Sequence, residues 1–212
     1  MDPLDRVVAT AGPLLRRVDE VLGAAGAPDG HRVWPLLRRV RVLTADAVYA
    51  VAALRPAALA ETVPELRSHA RAYTEAAASL PGPGDWTGEA ADAYEAVRHR
   101  LAGHLDGELV DRLHATARLA DELTHWMQGC RTALATTLAE VLGSAEAVIL
   151  VGTTTTTAGG TRSVPGPDVV AAAAEVAASI LGTVADGRDR GAELLDGSAE
   201  LTAVQRVAVD AH

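Results

Sequence analysis

The apolar positions Leu4, Val8, Ala11, Leu15, Val18 and Leu22 fall at alternating steps of four and three, the stripe of an amphipathic helix. Pro13 lies inside the stripe and predicts a kink. The run "GAAGAPDGH" ends this helix, and Pro35 suits the first turn of a second, whose stripe is Leu36, Val40, Leu43, Ala47, Ala50 and Leu54. Pro56 closes it, so residues 1–55 read as an N-terminal helical pair. "TVPE", Thr62 to Glu65, has capping-box form and predicts a third helix from about Val63, with Leu66, Ala70, Tyr73, Ala77 and Leu80 on its apolar face. "PGPG" stops it, and Ala90, Tyr94, Val97, Leu101 and Leu105 resume the helical spacing.

Proline punctuation divides the rest. All ten prolines lie in the first 83 residues or at positions 165 and 167, so nothing between Pro83 and Pro165 forbids one long helix from about Gly88 to Leu150. Gly103, Gly107, Gly129 and Gly143 each weaken it. Residues 56–151 therefore read as a helical hairpin with a long second helix, and 152–167, containing "GTTTTTAGGTRSVPGP", as a Thr/Gly/Pro-rich linker. Residues 168–212 read as a C-terminal helix capped by Asp168, with Gly187, Gly191 and Gly197 weakening its second half. The expected fold class is all-α, an elongated helical bundle built on an antiparallel helix-turn-helix hairpin.

Composition supports that class. Apolar residues are 49% of the 212, mainly Ala, Leu and Val, while aromatics are 3% and Phe is absent; Ala and Leu favour helices, whereas strands favour aromatic and β-branched side chains. The net charge of −9 argues against nucleic acid as the main partner. All 19 basic residues are Arg, which removes Schiff-base lysine chemistry and the phosphate-loop lysine. Arg38, Arg39 and Arg41 form a basic patch, read either as an anion site or as a solvated helix face. The start "MDPLDRVV" lacks the basic and apolar regions of a cleavable signal peptide. "VVAAAAEVAASILGTVA" is interrupted by Glu175, so no integral membrane segment is assigned.

Catalytic chemistry finds little support. A carboxylate-bridged metal site in a bundle needs two Glu-x-x-His pairs, and only Glu122–His125 has that spacing. The single cysteine, Cys130, lies among Trp126, Met127, Ala133 and Leu134 and reads as a core residue, while Trp34 and Trp126 read as packing residues. The chain is read as a non-enzyme, with no cofactor and no metal.

One stretch stands apart. "GDWTGEAADAYEAV" places Trp86, Thr87 and Gly88 at the turn of the hairpin, ahead of an alanine-rich helix. A flat ring at such a turn would cover the open apolar edge, and the glycine would tolerate unusual dihedrals, so the motif reads as a clasp. The hairpin, the central turn and the alanine-rich second helix resemble, best over residues 63–145, the Trp-x-Gly (WxG) family of type VII (ESX) secretion substrates, including its longer PPE-type and EspB-like helical relatives. Trp86 and Gly88 match the motif residue by residue. The resemblance implies a protein made in the cytoplasm and exported or displayed by a signal-peptide-independent route. It also implies a helical partner or self-association, with the secretion ATPase or a chaperone engaged indirectly. The family's export signal, Tyr followed four positions on by Asp or Glu, is absent: Tyr49, Tyr73 and Tyr94 are followed at that distance by Ala53, Ala77 and Arg98. Export would thus need a second chain to supply the signal, bound on an apolar face comprising Leu66, Tyr73, Val97 and Leu101. The alternative is a cytoplasmic helical adaptor in which the Trp-x-Gly turn is incidental.

Overall fold

A computed structural model describes residues 2–152 and 165–209, with side chains described as far as Ser198. Every regular element among them is helical, so the chain is all-α. In chain order these are α1 (Pro3–Ala25), α2 (Val33–Val40), α3 (Thr44–Ala52), α4 (Pro56–Ala60), α5 (Val63–Ala78), α6 (Glu89–Gly103), a π-helical segment (His104–Leu109), α7 (Val110–Leu142), α8 (Ala145–Gly152) and α9 (Pro167–Val209).

The stripe over residues 36–54 is two helices rather than one. Arg41 adopts the left-handed conformation (φ 62°) and donates its N–H to the Leu37 carbonyl at 2.8 Å, ending α2. The start of α3 is capped from elsewhere: Asp19 of α1 accepts the backbone N–H groups of Thr44 and Ala45, each at 3.0 Å. A carboxylate there satisfies orphan donors and complements the helix dipole. No local pattern around Thr44 reveals a cap 25 residues upstream. The capping box at Thr62 also differs, because its hydroxyl donates back to the Leu59 carbonyl at 2.8 Å and α5 has no side-chain cap.

The long helix is largely continuous. Gly103 precedes a widened π-helical segment and Gly107 lies inside it without breaking the run, and Gly129 sits within α7. Only Gly143 ends it, after which Ser144 caps α8 by accepting the Ala147 N–H at 3.2 Å. The linker expected over 152–167 falls mostly at 153–164, outside the described residues. Asp168 lies in the first turn of α9 rather than before it.

Packing does not follow chain order. Residues up to Leu54 join those from Trp126 onward in one unit, and Arg55–His125 form another, so α7 contributes its first half to one and its second half to the other. The core of the first unit is α9. Ala172, Ala173, Ala174, Val176, Ala177, Ala178, Ile180 and Leu181 are all buried, on successive faces of the helix, against α1, α2, α3, α8 and Leu134 and Leu138 of α7. A helix apolar on every side belongs in the middle of a bundle, and alanines let the neighbours approach closely. Residues Pro167–Ser198 are also long and apolar enough to cross a membrane, with a mean hydropathy of 1.6 in the most apolar window, of which 61% is buried inside the protein. Glu175 sits at the edge of this core, paired with Arg32 and with His31.

One buried charge ties the first unit together. Arg131 of α7, with 6% of its side chain exposed, donates to Asp2 at 3.1 Å and Asp5 at 2.9 Å at the start of α1. It also donates to the carbonyls of Ala52 (2.6 Å) and Leu54 (3.2 Å) at the end of α3. Asp2 in turn caps α1 by accepting the Leu4 N–H at 2.8 Å.

The second unit has a much smaller core. Val63 of α5 and Ala117 and Ala120 of α7 are buried together, with Leu59 and Leu66 packed against them. Arg67 and Asp121 bridge the same two helices at 2.6 Å, and α5 packs against α6 and the π-helical segment.

Candidate functional site

The Trp-x-Gly turn is built by glycine conformations. Gly84 has φ 62°, in the left-handed region that favours glycine, and Gly88 has φ 97°, ψ −177°, a combination essentially closed to residues with a Cβ. Gly88 precedes α6, and its carbonyl accepts the N–H groups of Ala91 and Asp92 at 2.9 and 3.1 Å. Trp86 donates its N–H to the Pro83 carbonyl at 3.2 Å. Beyond the backbone, the turn is held by Tyr94, in the second turn of α6. Its hydroxyl donates to the Pro81 carbonyl at 2.8 Å, and its ring meets Trp86 at a centroid distance of 5.9 Å and a tilt of 45°.

Trp86 itself remains 53% exposed. The expected clasp, a ring buried against both helices, is therefore replaced by an open ring resting on Tyr94, and the link between the two sides of the turn is the Tyr94 hydroxyl. Sequence reading placed Tyr94 on the apolar stripe but missed this bond, because Pro81 accepts through its backbone and no side-chain type announces it.

The face assigned to a partner separates in two. Leu66 packs into the unit's own small core with Val63, Ala117 and Ala120, which corrects its assignment to an open face. Val97 (52%), Leu101 (44%) and Tyr73 (39%) are exposed. Val97 and Leu101 lie four residues apart on α6 and share one side of it. Val63, Ala70, Ala77 and Ala91 are the buried residues of α5 and α6. Val63 apart, the buried residues of these two helices are small, while Val97, Leu101 and Tyr73 face outward.

The residues weighed for chemistry are placed as follows. Glu122 and His125 are both exposed on α7, and among the described residues no three His, Cys, Asp or Glu side chains converge on a metal position. Cys130 is buried, and burial pushes its thiol above the ordinary value against a smaller opposing pull from Arg190, which keeps it protonated and weakly nucleophilic. Trp126 donates its indole N–H to the Gly187 carbonyl at 2.8 Å, and Trp34 donates to Pro28 at 3.1 Å. The basic patch Arg38, Arg39 and Arg41 is exposed throughout, and Arg39 pairs with Asp189.

No family model, characterised protein or solved structure matches this chain.

Proposed function

We propose that the protein is a substrate, or the partner of a substrate, of a type VII (ESX) secretion system and works through helix–helix contacts. The observation that carries this reading is the outward placement of Trp86, Val97, Leu101 and Tyr73 on the unit that also bears the Trp-x-Gly turn. That unit buries few large apolar side chains of its own. A second helical chain laid on Val97 and Leu101 would remove that surface from water, at about 25 cal/mol per Å² of apolar area. The same partner would bring the export signal that all three tyrosines of this chain lack. The protein would then leave the cell as a complex, by a route independent of a signal peptide and with the secretion ATPase engaged indirectly.

The missing signal favours a second reading, a cytoplasmic helical adaptor that uses the same surface. Culture supernatants and lysates of wild type, Val97→Asp and a strain lacking the type VII ATPase separate the two. Export that needs the ATPase and is lost in Val97→Asp with unchanged helical content supports the first. Export without the ATPase, or retention in lysates with partner binding intact, removes it. Export of folded Val97→Asp at the wild-type level removes the partner face, since an aspartate there would be buried unpaired in the interface.

A further inference from the structure

The first unit contains a half-open cavity of about 290 Å³ among α2, α3, α7 and α9. Its walls include Val40, Ala47, Val51, Trp126, Leu134 and Val184. The polar atoms around it are already engaged. The Thr183 hydroxyl bonds Thr137 at 2.9 Å and donates to the Ser179 carbonyl at 3.2 Å, the Trp126 N–H goes to Gly187, and the Cys130 thiol is protonated. The interior therefore asks for an apolar occupant.

Arg188 is the exception. It is exposed, lines the cavity, and donates through Nη1 to the Val40 carbonyl at 2.9 Å. Among the described residues no carboxylate pairs with it, a state it shares with other surface arginines such as Arg38 and Arg41; what sets it apart is its place on the cavity wall. A guanidinium with spare donors beside an apolar cavity matches one ligand shape, an apolar tail ending in an anion.

Volume sets the size of the tail. An apolar protein cavity of about 150 Å³ stays dry and holds one benzene, so a space about twice as large suits roughly ten to twelve carbons. We propose that this cavity binds a small aliphatic carboxylic acid of that length, with its chain among α3, α7 and α9 and its carboxylate on Arg188. The site lies in the unit that does not carry the Trp-x-Gly turn, and the proposal stands apart from the export reading.

The test titrates decanoate, and decanol as its uncharged counterpart, into the full chain by calorimetry. Decanoate should bind saturably at one site per chain, and Arg188→Gln should weaken it about tenfold while leaving decanol unchanged. Ala50→Trp should abolish both, since Ala50 is exposed on α3 and its side chain borders the cavity. Cys130, the chain's only cysteine, lines the cavity and supplies an independent readout: its alkylation by excess N-ethylmaleimide at raised pH, slow already for a buried thiol, should slow further with saturating decanoate. That measurement uses wild-type protein and decides the matter if Ala50→Trp does not fold. Non-saturating heats, binding unchanged in folded Ala50→Trp, or an unprotected Cys130 would overturn the proposal. So would self-association abolished by Ala50→Trp and indifferent to decanoate, which would put a second copy of the chain in the cavity.

Discussion

Alanine at Gly129 and alanine at Gly191 add the same methyl group to two long helices and should move stability in opposite directions. At Gly129 of α7 a Cβ meets nothing within 4 Å, so the substitution keeps only the propensity gain of about 1 kcal/mol. At Gly191 of α9 the new Cβ would stand 2.7 Å from Cζ2 and 2.8 Å from Cε2 of Trp126. That ring is rigid and tethered by its 2.8 Å bond to the Gly187 carbonyl. Moving it away loses a hydrogen bond worth about 1 kcal/mol and adds overpacking of about 1–3 kcal/mol. Set against the same propensity gain, Gly191→Ala should come out destabilised by about 1–3 kcal/mol. For a chain of this length, each kcal/mol corresponds to roughly 2–4 °C in Tm. Far-UV circular dichroism melts of the two variants should therefore fall on either side of wild type. Trp126→Phe in the Gly191→Ala background should recover part of the loss, because the smaller ring clears the contact. A Gly191→Ala variant that melts above wild type, as Gly129→Ala should, would refute the close approach of α9 to Trp126.

Arg131→Met should cost about 3 kcal/mol in urea denaturation, the range for removing one partner of a buried charge cluster, and should loosen residues 2–5 and the end of α3 in hydrogen exchange. Trp86→Ala should cost only about 1 kcal/mol, well below a buried aromatic truncation, because the ring is half exposed; a loss above 3 kcal/mol would show it buried. The hydrogen bond from Arg131 holds Asp2 below its ordinary 3.8, and that from Arg32 holds Glu175 below 4.5. Both then bind fewer protons folded than unfolded, so their stabilisation is complete above those ordinary values and is lost as pH falls toward the depressed ones. Asp2→Asn should flatten the acid side of a stability–pH profile; an unchanged slope would remove Asp2 from the linkage.

The all-α class, the start of α5 at Val63, the long α6–α7 run and the turn at Trp86 follow from the sequence because they depend on residues close together in the chain. Helical periodicity, proline positions and alanine content act over a few turns, and glycine at position 88 meets a backbone requirement of its own segment. What the tertiary structure decided involves partners distant in sequence. Asp19 caps a helix 25 residues later, and Arg131 joins the ends of α1 and α3. The glycines of α9 look like weak points when read locally. In the fold, Gly187 and Gly191 are buried, and their missing side chains make room for Cys130 and Trp126. The apolar stretch of α9 has the hydropathy of a membrane span, and only its neighbours show where its surface goes. Leu66 and Val97 look equivalent on their stripes, yet one packs half-buried against a core that includes Ala117 and Ala120 of α7 and the other faces outward. Periodicity gives each helix an apolar side, but which of its residues are covered depends on which helices pack there, a choice made by long-range contacts that no local pattern encodes.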